Sequence, residues 1–417
     1  MKKYMILLAA SLLIGACGKD DNDTPDVPQD AERTVLIYMG ADNNLASLAN
    51  QDIKELKEGS KQLNDRQNLI VFLDNGDNDV DLHPFIARIK NGVVVDSIAI
   101  NEGNTADPAV LEEILDYTLM TYPAKSYGLV LWGHANGWLI SNDSVAYTRS
   151  YGVDMGESKS YWMNIPSMAS AITNGMGSEH LSFIFADCCN FACIESAYEL
   201  RKVTDYLIGS PAEIPDPGAP YHTIVPAMFN TSTTFYQSII DTYYDFYIED
   251  IKAHPNYYYN KNAGDLAGYS VPLVAIKSSE LDNLAQATAR LLSTIPDKLT
   301  PEGNFKFNGA FHYAYSNYMY AYDIYHTLSM NTSESDFNSW KPAFKNAVPY
   351  SRFSAKWLTG FPQLMTDMNN FNVKADECGV VSMFFPRTLY KSESPNWNTA
   401  IQNFQWNNVI RWQQYGW

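Results

Sequence analysis

The chain has 417 residues, 47 Asp+Glu against 29 Lys+Arg, and a formal charge of −18. That length predicts one large domain or two to three ordinary ones, and the charge balance, with no Lys/Arg cluster, excludes nucleic acid as the main partner. At 46% hydrophobic and 18% charged it is too apolar for a disordered chain, and past residue 16 it has no apolar run of about 20 residues, which excludes a multipass membrane protein.

In chain order, Met1-Lys2-Lys3 and the apolar stretch Tyr4–Ile14 form a basic start and a short hydrophobic segment, the pattern of a secretion signal. Ile14-Gly15-Ala16-Cys17 resembles the lipobox of bacterial lipoproteins. That resemblance implies removal of residues 1–16 and lipid modification of Cys17. Loss of Lys2 and Lys3 then takes the formal charge from −18 to −20. Residues 17–32, with Pro25, Pro28 and acidic neighbours, read as a flexible tether. Lysine and acidic residues just after the cysteine resemble the surface-export signal of Bacteroidetes lipoproteins. The expected location is an outer-membrane lipoprotein, exposed at the cell surface or facing the periplasm, touching the membrane through the Cys17 lipid rather than a span.

The short apolar run Thr34–Met39, ended by Gly40, predicts a buried strand. A helical pattern follows (Leu45, Leu48, Ile53, Leu56), with Asn43 or Asn44 as its N-cap. Asn68–Asp74 predicts a second strand, and Phe85–Ile89 with Val93–Ile100 a hairpin turning at Asn91-Gly92. Asp107–Thr121 reads as an amphipathic helix, Tyr127–Trp132 as a third buried strand, and 141–163 as a polar surface loop. Ile165–Ile172 predicts a helix, Leu181–Phe185 a strand, Ala192–Leu200 a helix and Tyr206–Gly209 a fifth strand. Strands separated by helices specify an α/β fold whose mostly parallel sheet is covered on both faces. Past residue 221 the strand signals thin out. Phe235–Ile251 and Leu281–Leu292 look helical and Gly379–Pro386 predicts a late strand. The expected organisation is a sheet domain over 33–221 and a mixed, largely helical C-terminal extension over 222–417 packed on it.

In parallel sheets of this kind, ligands bind beyond the carboxyl ends of the strands. Two strands bring reactive groups there. One runs into Gly133-His134-Ala135-Asn136-Gly137, the other into Asp187-Cys188-Cys189-Asn190. If the two strands are neighbours, an imidazole and a thiol face each other, the arrangement for nucleophilic acyl transfer. The imidazolium and the next helix's N-terminus would stabilise the thiolate, and Gly133 could supply an oxyanion donor. His134 precedes Cys189 by 55 residues, close to the caspase spacing of about 50. Three cysteines within six positions, without C-x-x-C or H-x-x-x-H, suit neither a disulfide framework nor a zinc site. The cluster is either core thiols or a nucleophile with apolar neighbours.

Thr34–Asn44 (TVLIYMGADNN), Leu131–Trp138 (LWGHANGW), Phe185–Leu200 (FADCCNFACIESAYEL) and Tyr206–Tyr221 (YLIGSPAEIPDPGAPY) together resemble the clostripain family of cysteine peptidases, in order and spacing. The resemblance implies a caspase-like αβα sandwich, shared with caspases, gingipains and legumains, and cleavage after Arg or Lys at P1. The family's D-A-C, six residues before its E-x-A-Y glutamate, falls on Asp187-Cys188-Cys189 and Glu195–Tyr198. It implies Cys189 as the nucleophile, His134 as its partner, and Asp187 at the S1 pocket, where a carboxylate pairs with a basic side chain. Cys188 and Cys193 are then packing residues. The family's acidic-P-G-x-G-W segment reads Glu213–Pro220 here, without the Trp. Self-cleavage between the His and Cys strands, common in the family, would fall after Arg149, with Lys159 as the alternative.

No cofactor is expected. Some family members use calcium, but Asp74, Asp77, Asp79 and Asp81 lack the distal Glu of an EF-hand loop and read as a solvated segment. The partners expected are peptides or proteins carrying Arg or Lys, and the chain is expected to be a monomer. The competing reading is a non-catalytic surface lipoprotein, a pseudo-peptidase that binds peptides, or glycans through Tyr-rich stretches such as Tyr257–Tyr259 and Phe311–Tyr320.

Overall fold

The computed structural model describes residues 31–75, 84–100, 104–140, 150–155, 160–254, 269–313, 321–357, 374–393 and 395–417. Cys17, Arg149, Lys159, Asp77, Asp79, Asp81 and Tyr257–Tyr259 lie outside them, as do residues 314–320.

The strands are β1 (Arg33–Gly40), β2 (Gln67–Asp74), β3 (Phe85–Lys90), β4 (Val93–Ala99), β5 (Tyr127–Trp132), β6 (Tyr151–Met155), β7 (Ser160–Met163), β8 (Leu181–Asp187), β9 (Thr204–Gly209), β10 (Tyr269–Ser270), β11 (Leu273–Lys277), β12 (Tyr322–Asp323), β13 (Tyr350–Arg352), β14 (Lys356–Trp357) and β15 (Ser382–Met383). The helices are α1 (Ala46–Ser60), α2 (Pro108–Thr121), α3 (Ile165–Met176), α4 (Ile194–Leu200), α5 (Tyr221–Met228), α6 (Phe235–Ala253), α7 (Leu281–Leu292), α8 (Ile324–Asn331), α9 (Glu334–Ala347), α10 (Trp397–Ala400) and α11 (Gln405–Ile410).

Nine strands form one sheet in the order β13-β11-β9-β8-β5-β1-β2-β3-β4. The inner five, β9-β8-β5-β1-β2, pair in parallel. Antiparallel strands flank them on both sides. Period-2 alternation makes the sheet a partition. Val35, Ile37 and Met39 of β1 pack with residues of α1, α5 and α6, while Leu36 and Tyr38 pack with residues of α2, α3 and α4. The result is the expected αβα sandwich.

Local chemistry explains most element ends. Asn91 and Gly92 both take positive φ (50° and 84°), which a two-residue hairpin turn of right-handed twist requires. Asp107 caps α2 by accepting from Ala109 N at 2.9 Å, and Pro108 opens the helix.

Several elements depart from the sequence expectation. Helix α1 is capped by Leu45, not by Asn43 or Asn44. Asn43 instead ties the loop together, its Oδ1 accepting from Leu45 N and its Nδ2 donating to Gly40 O and Val153 O. The stretch expected to be a polar loop holds the β6–β7 hairpin. Strands β11 and β13, from beyond residue 222, extend the main sheet past β9. The late strand shrinks to Ser382–Met383 and pairs with β12, outside that sheet. Two backbone amides at its start, Gly379 N and Val380 N, are spent on the buried Asp323 carboxylate instead of on a ladder. Phe311 and Tyr313 of the Tyr-rich stretch pack against Trp357, with ring centroids at 5.3 and 5.9 Å. Among the described residues, no helix is long and apolar enough to cross a membrane.

Candidate active site

Parallel pairing of β5 with β8 sets Trp132 opposite Asp187. His134 and Cys189 each lie two residues past that matched pair, so both fall at the same rim of the sheet.

On the His side, Gly133 has φ of +139°, a conformation that residues with a Cβ avoid, and a Cβ there would lie 3.1 Å from the carbonyl oxygen of Gly40. His134 is half-buried. Its Nε2 lies 2.8 Å from Asn44 Oδ1. A carbonyl oxygen only accepts, so Nε2 carries the proton and Nδ1 is the basic nitrogen of the neutral ring. The β6 segment clamps this loop: Gly152 N donates to His134 O at 2.8 Å, Asn136 N donates to Ser150 O at 3.0 Å, and the Tyr151 hydroxyl reaches Trp132 O at 3.1 Å.

On the thiol side, strand parity separates the cysteines. Cys188 is buried on the face of α2–α4, whereas Cys189 is half-buried and packs with the core of the opposite face. Asn190 follows at φ 56°, a left-handed position that turns the chain sharply behind the nucleophile candidate, and its N–H donates to Ala212 O. Cys193 is the residue before α4 and gives its Sγ to Ser196 Oγ at 3.0 Å. Because α4 starts only at Ile194, its N-terminus is five residues from Cys189 and lends little dipole to that thiol. The local charges are acidic. Burial first, then Glu213, Asp216 and Asp187, push the Cys189 thiol up to about 12, against one favourable contact from Ile214 N at 3.5 Å. The expected stabilised thiolate is therefore not the resting form: the sulfur is a neutral thiol.

Asp187 shares the Cys189 face and is 3% exposed. Its carboxylate accepts from Ala219 N (3.1 Å), Tyr221 Oη (2.9 Å) and Tyr243 Oη (3.3 Å). These bonds tie the segment after β9 to α5 and α6. Burial outweighs the three donors and raises the group to about 6. A carboxylate has about four acceptor positions, so about one remains. A second acid, Asp52, is buried nearby, accepts from Trp132 Nε1 at 2.7 Å, and is raised to about 9 by burial and then by Asp187.

Asn44, Glu213 and Asp216 are the residues that sequence reasoning passed over as members of the site. Asn44 was legible only as a cap; Glu213 and Asp216 stood out only within a segment lacking a Trp. Among the described residues, no group of three or more His, Cys, Asp or Glu is placed to hold a metal ion.

Residues 37–405 match the clostripain family, Peptidase C11. Over 221 residues the chain is 25% identical to clostripain from Hathewaya histolytica, a match covering 46% of this chain and 41% of that protein. The matched part thus spans less than half the length of that curated relative. In fold it is similar to a secreted C11 cysteine protease from Bacteroides thetaiotaomicron solved by X-ray with an irreversible peptide inhibitor, at 29% identity and a TM-score of 0.73 over 92% of this chain and 99% of the other. An inactive zymogen C11 protease from Parabacteroides distasonis is similar over the same shares, at 28% identity and a TM-score of 0.69.

Proposed function

We propose that this chain, which belongs to the clostripain family of cysteine peptidases, cleaves peptide bonds after Arg or Lys through a Cys189–His134 dyad. The observation that carries the proposal is the matched register of β5 and β8, which sets imidazole and thiol equally far past one pair of facing residues. In this reading Nδ1 of His134 takes the thiol proton as Sγ attacks the scissile carbonyl carbon. The Gly133 N–H is the oxyanion donor candidate. His134 then gives the proton to the leaving amine, and a water molecule hydrolyses the thioester with His134 again as base.

The acidic surroundings suit the substrate. Asp187 forms the base of S1 with its remaining acceptor position, and Glu213 and Asp216 add negative charge near the sulfur. A bound guanidinium or ammonium offsets the field that holds the thiol up, so substrate binding itself favours the thiolate. Asn44 acts as a positioning residue, fixing the His134 tautomer.

Self-cleavage after Arg149, or alternatively after Lys159, fits the same frame. The residues just past Arg149 are those that clamp the His134 loop, and Ser150 and Tyr151 are fully buried. A catalytic domain over 33–221, whose sheet is extended by β11 and β13 of the extension over 222–417, a monomeric state, and outer-membrane anchoring through Cys17 complete the proposal.

A panel of fluorogenic peptides differing at P1 tests it, with Cys189→Ala and His134→Ala as controls. Hydrolysis confined to Arg or Lys substrates and lost in both variants supports the proposal. Hydrolysis that survives either substitution, or a preference for acidic or apolar P1, overturns it. For self-cleavage, N-terminal sequencing of active protein decides: a new terminus at Ser150 or Ser160 supports it, and a single intact chain contradicts it.

A further inference from the structure

A cavity lies in the C-terminal half, between the segment after α7 and the segment after β15. Its volume is about 250 Å³. The walls are aromatic: Phe305 stacks on Phe385 with ring centroids 5.2 Å apart, and Phe385 meets Trp412 at 6.1 Å. Phe307 and Trp417 complete the lining and are only half-buried, so apolar ring surface faces the opening.

The charge of this cavity runs against that of the chain. Acids outnumber bases 47 to 29 overall, yet no Asp or Glu lines it, while Lys298 and Arg387 do. Each cation is held in place by a neutral partner. The Arg387 guanidinium carbon sits 4.5 Å from the Phe307 ring centroid, and Nη1 donates to Tyr322 Oη. Lys298 Nζ donates to Asn331 O at 2.7 Å. Among the described residues neither meets a carboxylate, and the side-chain hydrogen-bond partners of Arg387, the Tyr322 and Tyr390 hydroxyls, are neutral. Cations held beside flat apolar walls and left without a counter-charge form the chemistry of a site for an organic anion. The size limits the ligand: drug-sized pockets begin at roughly 300 Å³, so this one admits about one ring and its acid.

We infer that this cavity binds a small aromatic carboxylate, the ring against Phe305, Phe385 and Trp412 and the acid on Arg387 and Lys298. The site is separate from the peptidase proposal and stands whether or not the dyad turns over. The carboxylate can come from a free aromatic acid or from the C-terminus of a peptide ending in Phe or Trp.

The test is ligand-observed NMR saturation transfer on the full chain with phenylacetate, against phenylacetamide as the neutral isostere, and with N-acetyl-Gly-Phe as the peptide arm. The expected result is that phenylacetate binds at least tenfold more tightly than the amide. Arg387→Gln is expected to erase that difference. Thr300→Glu, which adds a carboxylate at the half-exposed wall, should do the same and serves if the Arg387 variant does not fold. Tighter binding of the dipeptide than of phenylacetate assigns the site to peptide termini, and the reverse assigns it to free acids; either supports the inference. Equal binding of acid and amide, no saturation transfer to any of the three, or an acid preference unchanged in both variants overturns it.

Discussion

The rim where β5 and β8 end and the cavity beside Phe385 are built from opposite charges in one acidic chain. At the rim, Asp52 and Asp187 are buried near one another, and burial first, then Glu213 and Asp216, hold the Cys189 thiol near 12. In the cavity, Arg387 and Lys298 are fixed by a ring, a hydroxyl and a backbone carbonyl, with no Asp or Glu among the lining residues. The contrast teaches that segregated charge, more than net charge, indicates what each surface accepts. It also shows two fates of a buried charge: desolvation raises an acid's pKa and disfavours its charged form, whereas neutral partners hold a cation with its charge intact.

The most severe test of the acidic rim is removal of either reacting group. Cys189→Ala or His134→Ala should lower kcat by at least about 10³-fold, while Cys188→Ala stays within a few-fold; steady-state kinetics on an Arg substrate checks this. Asn44→Ala should reduce kcat by roughly 10- to 100-fold, because the imidazole loses the acceptor that sets its tautomer. KM should change little, Asn44→Asp should recover most of the loss, and an unchanged kcat would remove Asn44 from the site.

Neutralising the rim should have an intermediate effect. Glu213→Gln combined with Asp216→Asn should raise KM for Arg substrates about tenfold and speed iodoacetamide alkylation of Cys189 at pH 8 by up to about tenfold, since about one pH unit of thiol shift is tenfold in thiolate. An unchanged alkylation rate would mean that burial alone holds the thiol up. The same rim predicts a pH dependence: Asp187 titrates near 6 when folded, so KM for Arg substrates should rise as pH falls through about 6 and the carboxylate is neutralised.

The smallest effect concerns stability behind the rim. Glu195 is fully buried, its Oε1 accepts from Phe384 N at 2.8 Å, and its Oε2 meets no donor among the described residues. Burial raises it from 4.5 to about 7. The folded chain therefore binds this proton more tightly than the unfolded chain, and stability falls as pH rises from about 4.5 to 7. Glu195→Gln should flatten that slope and gain about 1–2 kcal/mol at pH 8, with little change at pH 4. Urea unfolding at the two pH values measures it, and an equal shift at both would contradict the account.

Much of the rim was legible because its parts lie on short, fully buried strands. Tyr127–Trp132 and Phe183–Phe185 are continuous apolar runs, and a parallel α/β sheet sends both toward one edge, where the structure sets His134 and Cys189. What stayed hidden depends on pairing between distant segments. Strands β11 and β13 join the sheet from far along the sequence, with runs too short for periodicity to separate from loop. Asn44 looked like a helix cap because its true neighbour is 90 residues away. The cavity was invisible for the same reason, since Lys298, Phe385 and Trp412 meet only when three separate segments come together.

The most direct measurement of the central claim is mass mapping after reaction with an Arg-directed irreversible peptide ketone. The account predicts one thioether adduct, on Cys189, formed in the wild-type chain and lost or strongly slowed in His134→Ala. An adduct on Cys188 or Cys193, or labelling of Cys189 at an unchanged rate without the imidazole, would contradict it.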